Sequence, residues 1–139
     1  MILKSDIATL FLRFALASGF LSAVASRLNF WGKQSSGWES FINYTAQVNA
    51  FIPKSLISTI AITVTILELT FGLLLLIGFQ TNYVAFASGS LTMLFAIAMT
   101  ISFGIKESFD YSVFVFSAAA FLLANCSTHR FSLDQLFNL

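Results

Sequence analysis

Glu68 is the single ionisable residue in the apolar run 56–79. A carboxyl group in hydrocarbon is costly unless it is protonated, hydrogen-bonded or paired. Such a group is suited to accepting a proton or anchoring a ligand; its purely structural use is as a hydrogen-bonding peg between helices. Arg13 is the second charge inside an apolar run, 7–25. At 1.5 Å per helical residue, Glu68 lies about 16 Å and Arg13 about 10 Å from the same membrane face, so a direct or water-bridged ion pair is one expectation. Side chains lean toward their own helix N-terminus, which widens the gap between these two in antiparallel helices. The alternatives are that Arg13 snorkels outward to Asp6, Asp134 or a lipid phosphate, or that it takes some other partner. Thr65 shares the face of Glu68, and the same depth in the other apolar runs reaches Ser18, Thr92 and Ser117. A polar layer of hydroxyls around Glu68 is therefore expected, with Glu68, Arg13, Thr65, Ser18, Thr92 and Ser117 as the candidate intramembrane site.

Other chemistry finds little support. His129 is the only histidine and has no second His or Cys at ligand spacing, so no metal site is expected. Cys126 is the only cysteine, which excludes an internal disulfide or a C-x-x-C redox pair. No nucleophile triad, phosphate loop or paired carboxylates are present. A net charge of +1 without a Lys/Arg cluster argues against nucleic acid as a partner.

The elements that must carry these residues are helices in a bilayer. The 139 residues are 58% apolar and 9% charged, with mean hydropathy +0.87, far from the composition of a soluble domain. Four runs, 7–25, 56–79, 83–103 and 109–126, have the length required to cross about 30 Å of hydrocarbon. Small residues recur along each: Ser58, Ala61, Thr65 and Gly72 beside Glu68; Ala15, Ser18, Ser22 and Ala25 in the first; Ala85, Ser88, Gly89, Thr92 and Ala96 in the third; Ser117, Ala120 and Ala124 in the fourth. Such stripes let membrane helices approach closely. The expected fold is all-α: one transmembrane domain, 1–139, an integral membrane four-helix bundle with a short interfacial helix in the first loop. That helix is marked by a capping-box pattern, Ser36-Gly37-Trp38-Glu39, followed by apolar residues at helical spacing. It is read either as part of an aromatic belt or as a lid over a ligand pocket. Pro53 suits the first turn of the second span.

Four spans put both termini on one face with the turn at residues 80–82. Lys4 and the small residues Ala23-Val24-Ala25 imitate a secretory signal, but Arg13 interrupts its apolar region, so the segment is expected to remain as a helix. Arg27, Lys33, Lys54 and Lys106 on the opposite face outnumber Lys4, Arg130 and the terminal amine by one, which leans that opposite face weakly toward the cytoplasm.

The chain resembles the DoxX family of small bacterial membrane proteins. The resemblance rests on Leu12-Arg13; on Phe30-Trp31-Gly32, Trp38, Phe41, Tyr44-Thr45 and Pro53 in the first loop; on Glu68-Leu69-Thr70-Phe71-Gly72 leading to Gly78; on Thr81-Asn82; and on Ser132-Leu133-Asp134. The stretch from Ser102-Phe103-Gly104-Ile105-Lys106 to Asp110-Tyr111-Ser112-Val113 is similar to members from Bacteroidota. The family implies a four-helix membrane bundle with cytoplasmic termini and an association with redox systems, including quinone-linked oxidoreductase subunits. It usually carries a basic residue after the Thr of the second turn, where this chain has Asn82. We follow the family topology over the charge count. The expected function is an accessory or quinone-associated component of a redox or oxidative-stress system in the bacterial inner membrane, with quinone as candidate ligand and a redox or membrane protein as partner. On its own the chain is not expected to be an enzyme. A non-enzymatic assembly subunit and a small proton-coupled transporter are the alternatives.

Overall fold

The computed structural model describes residue 2 and residues 4–138. They form seven α-helices and no strand among the described residues: α1 Lys4–Arg27, α2 Trp38–Val48, α3 Lys54–Ile77, α4 Thr81–Phe103, α5 Ile105–Asp110, α6 Val113–Ala124 and α7 Leu133–Phe137. Three of them, α1, α3 and α4, are long and apolar enough to cross a membrane. The expected fourth run, 109–126, is divided instead: α5 and α6 are separated at Tyr111–Ser112, and Ser112 takes the left-handed conformation at φ 55°. At 1.5 Å per residue α6 is about 18 Å long, short of the hydrocarbon thickness. α5 turns back against α4, where Ser108 Oγ lies 2.9 Å from Thr100 Oγ1 and donates to the Ala96 carbonyl at 3.1 Å.

The helices pack as two close pairs. In α1/α3 the approach is set by Gly72, where a Cβ would lie 2.8 Å from Leu21 Cγ and 3.3 Å from Phe20 Cβ. In α4/α6, Ser117 donates to the Gly89 carbonyl at 2.8 Å and Phe121 covers Gly89. Leu16, Ala17, Phe20, Leu75, Ala85, Ala120 and Leu123 fill the space between the pairs.

One end of the molecule is sealed by polar contacts. α3 stops at Gly78, which takes φ 69° and closes on the Leu74 carbonyl. Both Asp134 carboxylate oxygens accept from the backbone at the start of α4, from Gln80 N at 2.6 Å and Thr81 N at 2.7 Å, satisfying donors that a helix N-terminus leaves open. Arg130 pairs with Asp6 at 3.4 Å and His129 bonds Asn82, so α1, the α3–α4 turn and the chain end meet here.

The opposite end is built differently. Arg27, the last residue of α1, stands opposite Thr65, so α1 falls about 16 Å short of the start of α3 at Lys54. α2 occupies the remaining length. Its Thr45 and Val48 are buried, Ser102 donates to the Val48 carbonyl at 2.5 Å, and Tyr44 stacks on Phe103. The Ser36 capping box does not form. Ser36 is held instead by Ser26, Oγ to Oγ 3.1 Å, and Gly37 at φ 81° is the N-cap of α2. Ordering the loop against the end of α1 takes the hydroxyl that would have capped the helix. Pro53 serves as the N-cap of α3.

Candidate functional site

Two helical columns are interrupted at one level, α1/α2 at residues 28–37 and α5/α6 at Tyr111–Ser112. Side chains do not fill the space between the broken columns. A cavity of about 640 Å³ lies there, walled by Phe20 and Ala23 of α1, Ile60 and Val64 of α3, Phe95 and Met99 of α4, and Val113 and Phe116 of α6. Phe41, Tyr44 and Thr45 of α2 and Asn49, its C-cap, close it, so the amphipathic helix of the first loop lies over the cavity as a lid would.

Glu68 turns inward, its side chain 15% exposed, and lines this cavity. Its partner is Arg27, not Arg13. The Arg27 guanidinium donates through Nη1 to Glu68 Oε2 and to Thr65 Oγ1 at 3.1 Å, and its Cζ lies 3.7 Å from the centre of the Phe41 ring. The tilt of helical side chains explains the choice. Arg27 and Glu68 lie on antiparallel helices, and each leans toward its own N-terminus, which brings them together across the α1–α3 contact. Sequence reasoning missed Arg27 because it sits at the end of the first apolar run and reads as a loop charge. Nη1 carries both bonds; Arg27 Nε and Nη2 and Glu68 Oε1 make no hydrogen bond with a described residue. Tyr44 also lines the cavity, and its hydroxyl makes no hydrogen bond with a described residue. Burial, followed by Tyr111 and Glu107, pushes its pKa up to about 12, so it is a neutral donor at any ordinary pH.

The other expected site residues separate. Thr65 joins the Arg27–Glu68 pair. Thr92 lines the cavity, but its hydroxyl is spent on the Ser88 carbonyl at 2.7 Å. Ser117 is fully buried and ties α6 to α4 through the Gly89 carbonyl rather than solvating Glu68. Ser18 is exposed on the outer face of α1, because Arg13, Leu16, Ala17, Phe20, Val24 and Arg27 take the inner face. Ala15 and Ser22 face outward with it, so the small-residue stripe of α1 is not its packing face, and Ser58 is likewise exposed on α3. Arg13 is 2% exposed at the sealed end, where it donates to the Phe131 carbonyl at 2.6 Å, beside Gly78 and in the field of Asp134. Arg13 therefore meets neither Glu68 nor the outer surface: it stays buried, and its hydrogen-bond acceptor is another partner, the Phe131 carbonyl.

The arrangement can hold an apolar body against aromatic walls while a polar head meets Arg27, Glu68 and Tyr44. The DoxX family model matches residues 8–102, which span α1 to α4 and contain both members of the ion pair. No curated protein and no solved structure gave a significant match. With three helices long enough to cross a bilayer and a match over most of its length, the chain is an integral membrane protein belonging to the DoxX family.

Proposed function

We propose that the protein is a four-helix membrane bundle, with α5 and α6 together as its fourth column, that serves as an accessory, quinone-associated component of a redox or oxidative-stress system in a bacterial inner membrane. The start of α1 and α7 lie at the sealed end, which we place on the cytoplasmic side. The observation that carries this reading is the cavity of about 640 Å³ with one ion pair on a mainly apolar and aromatic wall. This is the composition of a small-molecule site: an apolar slot with a few convergent polar groups. A quinone requires such a slot together with hydrogen-bonding groups for its ring oxygens. Electrons must reach it from a partner, since the chain has no residue pair that stores them, and it is therefore read as an accessory and not as a self-sufficient enzyme. Mass spectrometry of organic extracts from the purified protein tests this directly: a stoichiometric quinone supports the reading, and its absence together with failure to bind an added quinone refutes it.

An assembly subunit is the second reading, favoured by one observation. Ala15, Ser18 and Ser22 present a small-residue surface outward on α1, where a partner helix could approach closely. Co-purification of one stoichiometric membrane partner, lost in Ser18→Phe while the extractable ligand is unaffected, would establish that reading. The transporter alternative is weakened by the pairing of Glu68 with Arg27, which leaves the cavity without an unpaired acid.

A further inference from the structure

Resting on the reading of the cavity as a ligand site, we infer that its ligand is a membrane-dissolved molecule with an electrically neutral head that both accepts and donates hydrogen bonds, entering sideways between α3 and α4. Charge decides the head. Arg27 and Glu68 are the only charged residues among the described residues that line the cavity, and each is the other's counter-ion. An anionic head near Arg27 would meet Glu68 as well, and a cationic head near Glu68 would meet Arg27. In a low-dielectric wall neither kind of head can be neutralised without breaking the existing pair. The groups left over are of both kinds: Arg27 Nε and Nη2 and the Tyr44 hydroxyl can donate, and Glu68 Oε1 can accept. A ring bearing carbonyl or hydroxyl groups matches that set.

Access follows from the packing. On the α1–α6 side the wall is shut, because Gly19 lies against Phe116 so closely that a Cβ would stand 2.7 Å from its ring, and Phe20 and Phe116 stack edge to face at 5.1 Å. α3 and α4 are joined tightly at the sealed end and carry the apolar rim on the other side. Ile60, Val64 and Leu91 are half-buried there and Leu94 is 66% exposed. A molecule dissolved among acyl chains reaches that rim without crossing water.

The test uses the full-length protein in nanodiscs and three probes with the same ten-carbon tail: a decyl-substituted benzoquinone, decanoate and decylammonium. Specific binding is the part lost in the cavity-filled variants Ala98→Trp or Thr92→Phe. Wild type should bind the benzoquinone at least tenfold more tightly than either charged probe. Glu68→Gln, which leaves Arg27 without its counter-ion, should shift preference at least tenfold toward decanoate. Arg27→Gln should shift it toward decylammonium, and the double variant should return to the neutral probe. A helix peg with no ligand role would not produce these opposite shifts. Specific binding of a charged probe to wild type as tight as the benzoquinone overturns the inference while leaving the cavity a ligand site. Absence of specific binding by all three overturns both.

Discussion

Replacing Arg27 with methionine keeps most of the side-chain volume but removes the charge that faces Glu68. The two side chains are 10% and 15% exposed, so solvent screening relieves little of the loss. Breaking one partner of a buried pair typically costs about 3 to 5 kcal/mol, because the other charge is left desolvated and unpaired. The contact of the guanidinium with Phe41 at 3.7 Å adds about 1 kcal/mol of cation–π attraction that methionine only partly replaces. We therefore expect Arg27→Met to destabilise the protein by about 3 kcal/mol, taking the lower bound because Glu68 can accept a proton once unpaired. Glu68→Leu alone should cost a similar amount. The double variant Arg27→Met/Glu68→Leu should recover most of it, since an apolar replacement of both partners is often neutral or better. Reversible unfolding in mixed micelles, followed as a double-mutant cycle, should give a coupling energy of about 2 kcal/mol or more. A coupling below about 0.5 kcal/mol, the scale on which independent sites add, would show that the pair does not hold α1 to α3 and would refute the reasoning.

Gly72→Leu should weaken the α1/α3 contact by about 1 to 3 kcal/mol, since even a Cβ there lies 2.8 Å from Leu21 Cγ; unchanged stability in micelles would contradict that packing. Asp134→Ala removes both acceptors at the start of α4 and should cost about 1 to 2 kcal/mol while making the segment after α6 sensitive to limited proteolysis; resistance equal to wild type would refute the capping role. Burial, with Arg13 adding and Asp134 opposing, holds the His129 pKa below its ordinary value of 6.5. The unfolded chain then binds more protons as pH falls, so stability present above pH 6.5 should decline as pH drops through and below that value. In His129→Gln the melting temperature should depend less on pH between about 7.5 and 5; an unchanged profile would assign the acid sensitivity to other groups.

Glu68 could be recognised as an inward-facing group from the sequence because a lone acid in a long apolar run has few stable alternatives. Thr65 and Gly72 were recognised with it by helical spacing. The inner face of α1 was not, since in lipid both faces of a helix are apolar and a stripe such as Ala15, Ser18 and Ser22 suits either a neighbouring helix of this chain or one of a partner. Arg27 was hidden by its position at the end of a hydrophobic run, although the tilt rule used to question Arg13 also points Arg27 back into the bundle. The break at Tyr111–Ser112 carries no glycine or proline to announce it. The cavity depends on two such interruptions falling at one depth, a relation between distant segments that local pattern does not encode.

The central claim is that the space between the broken columns is where a membrane-dissolved ring binds. A photoactivatable benzoquinone, cross-linked to the protein in nanodiscs and mapped by peptide mass spectrometry, tests it most directly. Labels are predicted on peptides containing Phe41–Tyr44 and Phe95–Met99, lost in Ala98→Trp and competed by unlabelled benzoquinone. Labelling confined to the outer face of α1 around Ala15 and Ser18, insensitive to competitor, would contradict the account.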